Sequence, residues 1–577
     1  MPRANDAVEA VLLEYADLLS ILSEDPFKPR AYEKAARAVG GYPADVGGLD
    51  LKGILQIPNV GKSIGEKVHE FQQTGTIATL DELRAQIPSG VRQMMAIPGL
   101  GPKKAMTLYT ELGIASVDEL LHAVEAHQLA GLKGFGAKTE ENIRKGIERL
   151  RDASDRVMVN VALDLAEQLL GELGSLKGVR RSAYAGSLRR MAETIGDVDL
   201  LVAAGEKDAP RIMDAFVGLH VVDRVLAHGE TKSSIVTAGG LQVDLRVVPL
   251  HVWGAAMIYF TGSKAHNIRI REMAVRKGLK LSEYGLFQAK SGELVVAETE
   301  EDVYAQLGLP WIPPPLREDR GEVEAALEGS LPDVLLGKQI RGDLHTHTNL
   351  TDGLAPLEEM VATAATLRYA YYAVTDHAPN LAMQRMTDEK ILAQREQLRK
   401  LQARYPKMTL LHGSELNIDP DGGVDWDEDF LAGFDVNVAS VHSHFTLSKE
   451  EQTRRVIRAI EHPYVHVIGH LTGRRIGSRA PIDLDLEAVF ASAGRTGTAM
   501  EINSHPDRLD LKDEHILWAK RHGVKFAVTT DAHTPVHLAL RRFGVATAQR
   551  GWLTKDDVID AWPLTKLRRF LRKGRGA

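Results

Sequence analysis

The feature that most constrains this chain is a proline-rich segment near its middle, which reads LPWIPPPLREDRGEVEAALEGSLPDVL over Leu309–Leu335. Prolines stiffen a connecting segment and acidic residues keep it solvated, so this composition predicts a linker at residues 317–339. The 577 residues of the chain also exceed the roughly 250 to 300 residues at which a single core stops growing. We therefore expect several domains, with one block of them on each side of the linker.

Residue usage differs between the two blocks. Of the 21 histidines, 14 follow residue 340, although this part is less than half of the chain. The absence of cysteine excludes disulfides, thiolate zinc sites and cysteine nucleophiles. A metal site in the second block must therefore use histidine and carboxylate ligands. The net charge of −7 decides nothing about nucleic acid, because binding needs only a local basic surface.

The chain shows no signal for a membrane. No apolar run approaches the roughly 20 residues that a membrane helix needs. The start, MPRANDAVEAVLLEYADLLSILSED, lacks the basic and apolar regions of a signal peptide and alternates apolar with acidic residues at helical spacing. This pattern predicts an amphipathic helix in a cytoplasmic protein.

Hydrophobic patterning changes along the chain. Residues 1–150 combine helix-period apolar spacing with frequent glycines, which predicts helices with little strand. Between Val179 and Leu250, short β-branched runs such as VDLLVAA, SSIVTA and LQVDLRVV predict strands of a sheet. After residue 340, short apolar runs alternate with helical segments such as Asp388–Tyr405. This alternation predicts parallel strands joined by helices in a barrel-like α/β domain.

Two N-terminal segments resemble each other, Ile54–Phe71 and Met94–Gly113, and a looser third copy spans Leu129–Ile147. Each places a tight glycine turn directly before a helix, where free amides and the helix dipole favour a phosphate. They resemble helix-hairpin-helix motifs, which bind the DNA backbone without reading sequence. A single copy could be only a turn, but three copies followed by lysines favour DNA binding. The residues expected to contact DNA in the first two copies are Gly61, Lys62, Gly99, Gly101, Lys103 and Lys104.

Paired aspartates carry the strongest chemical signal of the first block. Asp197 and Asp199 lie two apart at the head of an apolar strand, so alternation directs both carboxylates to one face. Asp244 lies in a later run that could form the neighbouring strand. Three carboxylates with few other ligands suit Mg²⁺, which also takes phosphate oxygens from its substrate. An Asp-x-Asp pair alone is often only solvated charge, but a Gly-Ser turn upstream, followed by two arginines, suits a triphosphate.

Together with YFTGSKAHNIRIREMA (Tyr259–Ala274), these segments resemble the family X DNA polymerases. The resemblance implies that the three aspartates hold two Mg²⁺ ions and that Asp244 helps to deprotonate the primer 3'-hydroxyl. It places Gly186, Ser187 and Arg190 at the phosphates of the incoming nucleotide, and Tyr259 and Phe260 at its sugar. Gly262 is also assigned to the nucleotide site. Asn267 would contact the minor-groove edge of the nucleotide, and Arg271 the template strand. Singly, the aromatic pair could be buried core, and Asn267 and Arg271 a solvated helix face. The sequence departs from the family pattern at Ile195, Gln242 and Lys264, where the family has serine, arginine and aspartate.

The same resemblance implies a 5'-deoxyribose-phosphate lyase site in the N-terminal domain. Lys67 matches the lysine that forms the Schiff base, and Lys28 and Tyr32 match the 5'-phosphate pocket. Ser63 stands where the family has a further pocket lysine. A lysine on a helix is usually only a solvated side chain, so both interpretations of Lys67 stay open.

Residues 340–577 resemble the polymerase and histidinol phosphatase (PHP) family over their full length. Nine ligands occur in family order, mostly at the ends of strand-like runs: His345, His347, Asp352, His377, Glu415, His442, His470, Asp531 and His533. Imidazole and carboxylate ligands suit Mn²⁺, Zn²⁺ or Fe²⁺. A single histidine could be a satisfied polar residue, whereas nine in this order favour a metal site.

The resemblance groups these ligands around as many as three Mn²⁺ or Zn²⁺ ions. The first group is His345, His347, Glu415 and Asp531, the second Glu415, His442 and His470, and the third Asp352, His377 and His533. Asp343, Asp376 and His444 are expected to orient ligands rather than bind metal. Arg474, Arg508 and His505 could hold the substrate phosphate.

The two blocks together resemble the bacterial family X polymerases that carry a C-terminal PHP domain. The implied fold is multidomain, α/β and α+β. The expected domains are a helical domain at 1–85, a second helix-hairpin-helix domain at 86–150, a nucleotidyltransferase palm at 151–255, a thumb at 256–316, the linker, and a PHP domain at 340–577 with a distorted (β/α)7 barrel.

The implied function is template-directed gap filling in DNA repair, with a Mn²⁺-dependent 3'-5' exonuclease in the PHP domain. Processing of blocked 3' ends and cleavage at apurinic sites are further implied activities. Gapped or nicked DNA and dNTPs are the expected partners of a monomer associated with the nucleoid. The first alternative is a small-molecule phosphoesterase fused to a vestigial polymerase core, which the complete aspartate set argues against. The second is a non-catalytic repair scaffold, which the nine intact ligands argue against.

Overall fold

The structure is a computed structural model. It describes residues 4–22, 27–40, 42, 45–87, 89–95, 97, 100–132, 135–136, 139–144, 146–147, 156–381 and 386–573. No helix within these ranges is long and apolar enough to cross a membrane.

The N-terminal part is helical, as the apolar spacing predicted. Its helices are Ala4–Leu22, Phe27–Gly40, Leu51–Ile54, Lys62–Thr74, Ala78–Gln86, Ser89–Met95, Pro102–Leu112 and Val117–Glu125, with further helical residues at 139–144 and 146–147. Gly75 and Gly113 end two of the helices with φ of +75° and +69°, a conformation that costs glycine little. Buried side chains such as Leu12, Val68 and Leu108 join these helices in one core.

A palm-like sheet follows. Its strands, together with a short outer pair, are β1 (Val157–Met158), β2 (Arg181–Tyr184), β3 (Thr194–Ile195), β4 (Asp197–Ala203), β5 (Val222–His228), β6 (Lys232–Thr237) and β7 (Gln242–Val248). The main sheet has the order β2-β4-β7-β6-β5, in which only β4 and β7 run parallel. β4, β6 and β7 confirm the three β-branched runs predicted as strands. The helices of this part are Val159–Gly174, Gly186–Arg189 and Ala209–Val217.

The thumb-like part packs helices against a small antiparallel sheet. The helices are Trp253–Thr261, Lys264–Arg276 and Glu300–Gln306, and the strands are β8 (Leu279–Ser282), β9 (Gly285–Gln288) and β10 (Leu294–Val296). Its core is formed by buried residues such as Ile258, Ile270 and Val303.

The acidic segment after the prolines differs from the solvated spacer that its composition suggested. It contains the helix Glu322–Leu327, and both Arg317 and Glu322 are fully buried. Each has a partner in the thumb: Arg317 Nη1 donates to Glu300 at 2.8 Å, and the Glu322 carboxylate lies 2.6 Å from His266 Nδ1. Paired charges can be buried, so the acidic residues here hold the segment against the thumb.

The C-terminal part is a parallel seven-stranded sheet in sequential order. The strands are β11 (Gly342–Asp343), β12 (Tyr371–Val374), β13 (Thr409–Asn417), β14 (Val436–Ser440), β15 (Val467–Ile468), β16 (Ala499–Asn503) and β17 (Phe526–Thr529). A parallel bridge between Thr346 and Ala532 joins the first strand to the last, so the sheet closes into a barrel. The helices are Leu357–Thr366, Asp388–Gln402, Glu428–Leu431, Lys449–Glu461, Leu486–Thr496, Asp513–Arg521, Arg541–Arg550 and Leu564–Phe570. This architecture confirms the predicted seven-stranded α/β barrel.

Candidate active sites

The three palm aspartates lie at one edge of the main sheet. Asp197 and Asp199 occupy the start of β4, and Asp244 lies on β7, directly beside Asp199 in the parallel register. Asp197 is exposed, and the other two are partly buried. The neighbouring strands therefore bring the three carboxylates to the same edge, as alternation within the strands requires.

Like charge dominates the electrostatics of this edge. Burial, followed by the charges of Asp197 and Asp244, raises the pKa of Asp199 to about 7. Asp244 accepts a hydrogen bond from Gln242 at 2.9 Å and lies 3.3 Å from Lys232 Nζ. Among the described residues, sets of ligand atoms within 4.8 Å of one another occur in the C-terminal barrel and not at these aspartates. The chemistry of the three oxygen donors nevertheless fits Mg²⁺, which draws further ligands from water and substrate.

The Gly-Ser turn packs against this edge. Gly186 has φ +59°, and a Cβ on it would lie 2.4 Å from Asp199 Oδ2, so only glycine fits. Ser187 follows in the short helix Gly186–Arg189 and is partly exposed. Arg189 is committed elsewhere, because its guanidinium donates to Glu300 at 2.8 and 2.7 Å. Both arginines reach the thumb turn: Arg189 donates to the Thr261 hydroxyl at 2.7 Å and Arg190 to the Thr261 carbonyl at 2.5 Å.

The other predicted nucleotide contacts lie on two successive thumb helices and on the turn between them. Tyr259 and Phe260 pack edge to face with centroids 5.0 Å apart, and both are partly exposed. Asn267 Nδ2 donates to the Tyr259 carbonyl at 2.7 Å, and the Arg271 guanidinium lies 5.9 Å from the Tyr259 ring. Gly262 follows with φ +68°. Neither Asn267 nor Arg271 is therefore an isolated surface side chain.

The N-terminal residues form two separate features. Lys67 Nζ lies 5.7 Å from the Tyr15 ring, which stacks on Tyr32 at 4.4 Å, so Lys67 and Tyr32 share one aromatic neighbour. Lys67 also reaches the Ser63 hydroxyl at 3.5 Å. Lys28 is exposed near the start of its helix.

Two of the predicted hairpin glycines cap helices. Gly61 and Gly101 occupy the N-cap positions of Lys62–Thr74 and Pro102–Leu112, and neither cap makes a side-chain hydrogen bond. The space around both glycines is open, which suits a close approach by a phosphate. Lys62 is exposed, and Lys104 Nζ lies 5.7 Å from the Phe135 ring. Gly99, the side chain of Lys103 and part of the third hairpin lie outside the described residues.

The nine histidine and carboxylate residues of the barrel converge at the carboxyl ends of its strands. In chain order, β11 is followed by His345, His347 and Asp352, β12 by His377, β14 by His442, β15 by His470, and β17 by Asp531 and His533, while Glu415 lies within β13. The carboxyl ends of parallel strands face the same side of a barrel, which brings distant motifs together. The alternating strands and helices thus assemble the site.

Distances join the nine residues into adjoining groups. His347 Nε2 lies 3.1 Å from Asp531 Oδ1, and His345 Nε2 lies 3.4 Å from Glu415 Oε2. The other Glu415 oxygen lies 3.1 Å from both His442 Nε2 and His470 Nε2. Around Asp352, the nearest atoms are His377 Nε2 and His533 Nε2, each 3.3 Å away. Glu415 therefore lies between the first two predicted groups. His377 of the third group also approaches it, with Nδ1 2.9 Å from Glu415 Oε2.

The donor set fits divalent cations. The buried Nε2 atoms of His345 and His347 and Oδ1 of Asp352 have no hydrogen-bond partner among the described residues. Burial would raise the pKa of Glu415, but His442, His377 and His345 hold that pKa well below its usual range. Unpartnered imidazole nitrogens facing ionised carboxylates are ligands that Mn²⁺ and Zn²⁺ accept.

Two of the three residues expected to orient the ligands are hydrogen-bonded within the barrel. Asp376 accepts hydrogen bonds from Thr348 and Gln394, and Asp343 accepts from the hydroxyl of Thr530 at 2.6 Å. His444, the third residue expected in this role, instead bonds the neighbouring Ser443 at the surface.

Glu501 was not anticipated. It lies on β16, fully buried, with Oε1 2.6 Å from His345 Nδ1, and it accepts a hydrogen bond from the His470 amide at 2.5 Å. Similarly, Asn417 Oδ1 lies 2.8 Å from His442 Nδ1, and Asp425 accepts from the Asn417 amide. The available signal for Glu501 was an acidic residue inside the apolar strand run AMEIN.

Two of the three residues proposed to bind phosphate in the barrel are already engaged. Arg474 Nη2 lies 2.7 Å from Glu193 of the palm, and His505 Nδ1 lies 2.6 Å from Asp507. Arg508 differs, because its Nε lies 3.9 Å from Asp531 and its buried Nη1 has no hydrogen-bond partner among the described residues. It is the one of the three with an unmatched donor beside the ligands.

Comparison with known proteins relates parts of the chain to known families. Family profiles match a helix-hairpin-helix domain at residues 3–77, a SAM-like helix-hairpin-helix tandem at 91–149, a DNA polymerase beta thumb at 256–318 and a PHP domain at 343–517. The DNA polymerase/3'-5' exonuclease PolX of Bacillus subtilis (strain 168) is 34% identical over 559 residues, which cover 96% of this chain and 97% of that protein. DNA polymerase lambda of Rattus norvegicus is 26% identical over 51% of this chain and 53% of its own length. DNA polymerase lambda of Arabidopsis thaliana is 25% identical over 54% of this chain and 62% of its own length.

Proposed function

Since the chain belongs to the bacterial PolX family of DNA polymerase/3'-5' exonucleases, we propose that it fills short DNA gaps under the direction of a template and processes 3' ends in its barrel. One observation carries the proposal: two groups of metal-ligand residues lie in different domains of one chain. Three aspartates share an edge of the palm, and nine histidine and carboxylate residues share one end of the barrel. Each group is suited to phosphate chemistry without the other.

In the polymerase reaction, the side chains of the palm and thumb bind and orient the substrates. Asp197, Asp199 and Asp244 would hold two Mg²⁺ ions, which when bound neutralise phosphate charge in the transition state. Asp244 takes the proton of the primer 3'-hydroxyl. Ser187 and Arg190 hold the triphosphate, and the Gly186 turn leaves room for it.

Selection of the nucleotide falls to the thumb helices. Tyr259 and Phe260 form a wall against a 2'-hydroxyl, and Gly262 lets the chain turn beside them. Asn267, oriented by its bond to the Tyr259 carbonyl, contacts the minor-groove edge of the base, and Arg271 contacts the template strand.

In the barrel, the nine ligands would hold up to three Mn²⁺ or Zn²⁺ ions, which when bound supply an activated water and neutralise the phosphate. Glu415 lies between two of the three groups, and Asp352, His377 and His533 form the third. Arg508 holds a nonbridging oxygen of the scissile phosphate through its unmatched donor. The substrates are DNA 3' ends, including blocked ends, and apurinic sites.

The N-terminal domains bind the DNA backbone. The N-caps Gly61 and Gly101 offer main-chain amides. Gly99 is the further hairpin glycine expected at the DNA, and Lys62, Lys103 and Lys104 add charge. Lys67 acts as a Schiff-base lysine for 5'-deoxyribose phosphate, with Lys28 and Tyr32 at the 5'-phosphate. The protein acts as a monomer on gapped or nicked DNA at the nucleoid, in the cytoplasm.

A pair of variants tests the assignment of two sites. On a gapped duplex with dNTPs and Mg²⁺, Asp197→Ala should abolish extension and leave degradation of a 3'-recessed duplex with Mn²⁺ intact. His345→Ala should do the reverse, because the two residues lie in different domains. Thermal unfolding of both variants checks that each still folds. Loss of both activities in either folded variant would contradict two independent sites.

A further inference from the structure

The phosphate-binding arginine of the polymerase is held by residues beyond the palm. Arg190 is largely buried; its Nε donates to Glu318 Oε1 at 3.0 Å and its Nη1 to the Thr261 carbonyl at 2.5 Å. A Cβ on Gly262 would lie 3.2 Å from the same Nη1, so the thumb turn fits closely against the guanidinium. The hydrogen bonds of its guanidinium to the described residues use Nε and Nη1, which leaves Nη2 for the phosphate in the proposed function.

Glu318, the partner of Arg190, is shared with the C-terminal barrel. Arg550, at the end of the helix Arg541–Arg550, donates through Nη1 to the same Glu318 oxygen at 2.7 Å. The same Nη1 also donates to the main-chain carbonyl of Arg190 at 2.8 Å. Arg550 therefore contacts both the backbone of the phosphate-binding residue and the carboxylate that orients its side chain.

Asp513 holds the side chain of Arg550 in place. Asp513 accepts from its Nε and lies 2.8 Å from its Nη2, and Arg320 contributes a further bond to Asp513 at 3.0 Å. Burial would raise the pKa of Asp513, but Arg550 and Arg320 outweigh it and lower that pKa. The side chains of Arg550, Glu318 and Asp513 are 10%, 16% and 7% exposed, so solvent screens this network weakly.

Sharing a carboxylate changes how Arg190 is held for a nucleotide. Glu318 accepts from both Arg190 and Arg550, and Asp513 balances the charge of Arg550, so the contribution of Arg550 to Arg190 is one of geometry. The bond to the Arg190 carbonyl adds a geometric constraint on the turn that follows Ser187.

We propose that Arg550 is a positioning residue for nucleotide addition, through which the docked barrel holds Arg190 ready for the triphosphate. The inference rests on the proposed polymerase function. It assigns the nuclease domain a part in the polymerase reaction that is separate from its own ligands.

Nucleotide kinetics on a one-nucleotide gap test this role. Arg550→Met should raise the KM for dNTP about ten-fold, as expected for one lost charge-assisted contact, with kcat changed less than about two-fold. The KM for dNTP of Arg550→Lys should lie between that of the unaltered protein and that of Arg550→Met, because an ammonium keeps the charge but cannot reach all three partners. Nuclease activity should match that of the unaltered protein.

Arg542→Met is the matched control. Arg542 lies on the same helix as Arg550 and also joins the barrel to the palm, because it donates to Asp164 at 2.9 Å. This contact is exposed, and Asp164 lies on the palm helix Val159–Gly174. The KM for dNTP of Arg542→Met should stay within about two-fold of the unaltered protein. Equal KM changes in Arg542→Met and Arg550→Met would overturn the inference, because domain docking alone would then explain them.

A second variant covers the case in which Arg550→Met fails to fold. Glu318→Gln should raise the KM for dNTP about three-fold, and adding Arg550→Met should produce no more than the Arg550→Met effect. An unchanged KM in folded Glu318→Gln would overturn the inference. Failure of the proposed function looks different: the unaltered protein would not extend the gap, or Asp197→Ala would still extend it.

Discussion

The two metal-ligand sites handle negative charge in opposite ways. In the palm, three carboxylates face one another, and burial together with Asp197 and Asp244 raises the pKa of Asp199 to about 7. In the barrel, burial is outweighed by histidines, which hold the pKa of Glu415 well below its usual range. In the proposed function, cations and substrate phosphates would therefore complete the palm site, whereas the fold itself brings the barrel residues together.

The difference follows from where the ligands come from. The palm aspartates lie on two adjacent strands, and Asp197 is exposed. The barrel ligands come from most of the strands around a closed sheet, and six of the nine are buried: His345, His347, His377, Glu415, His470 and Asp531. We therefore expect ion binding to be strong and independent of substrate in the barrel, and weak and substrate-dependent in the palm.

The largest expected effect concerns Glu415, because it lies within 3.5 Å of five histidines: His345, His347, His377, His442 and His470. Glu415→Gln removes the negative charge of the carboxylate that the first two groups share. Nuclease activity should fall by about 1,000-fold or more, because a buried charge that balances cations is lost. The measurement is degradation of a 3'-recessed duplex with Mn²⁺, alongside the metal content of the purified protein.

Extension of a gapped duplex by Glu415→Gln serves as its internal control and should be unchanged. A similar loss of extension would break the comparison, because the two sites would then not be independent. Retention of full metal content by the variant would contradict the assignment of Glu415 between two ions.

The next largest effect is expected when metal ions are removed, because the loss of stability should come from the barrel and not from the palm. Chelation should lower the stability of the unaltered protein by about 3 to 4 kcal/mol when the ions were present at roughly 100 to 1,000 times their Kd. Thermal unfolding with and without chelator measures the change. The shift should shrink in Glu415→Gln and persist in Asp199→Asn, because only the barrel binds ions without substrate. Loss of the shift in Asp199→Asn would place the stabilising ion in the palm.

The sequence predicted features that depend on local pattern, but not contacts between residues that lie far apart in the chain. The strand-end positions of His345 and Asp531 and the common face of Asp197 and Asp199 follow from local periodicity, because alternation and parallel order fix where such side chains point. Burial of Glu322 could not be predicted, since its partner His266 lies 56 residues earlier in the chain. The link from Arg550 to Arg190, across 360 residues, was hidden for the same reason.

Replacement of Glu501 tests whether the nuclease activity of the barrel depends on residues that contact its ligands. The Glu501 carboxylate lies 2.6 Å from His345 Nδ1, which fixes the imidazole so that Nε2 faces the site. Glu501→Gln should reduce nuclease activity or metal affinity by about 10- to 100-fold and leave extension unchanged. Nuclease rate as a function of Mn²⁺ concentration measures both effects.

Glu487→Gln provides the matched control for Glu501. It makes the same chemical change in the same domain, at an exposed residue that accepts a hydrogen bond from Trp518 at 2.8 Å. Its nuclease rate should stay within about two-fold of the unaltered protein. Equal losses in the two variants would refute an orienting role for Glu501.

The smallest expected effect compares two amides that hold ligands, one in each site. Asn417 Oδ1 lies 2.8 Å from His442 Nδ1 in the barrel, and Gln242 Nε2 donates to Asp244 at 2.9 Å in the palm. Asn417→Ala should lower nuclease activity about ten-fold or more, because His442 loses its fixed orientation. Gln242→Ala should slow extension only about three-fold, since Lys232 still contacts Asp244 and substrate completes the palm site. Rates of both reactions for both variants provide the measurement. A larger effect of Gln242→Ala on extension than of Asn417→Ala on degradation would show that the palm is as preorganised as the barrel.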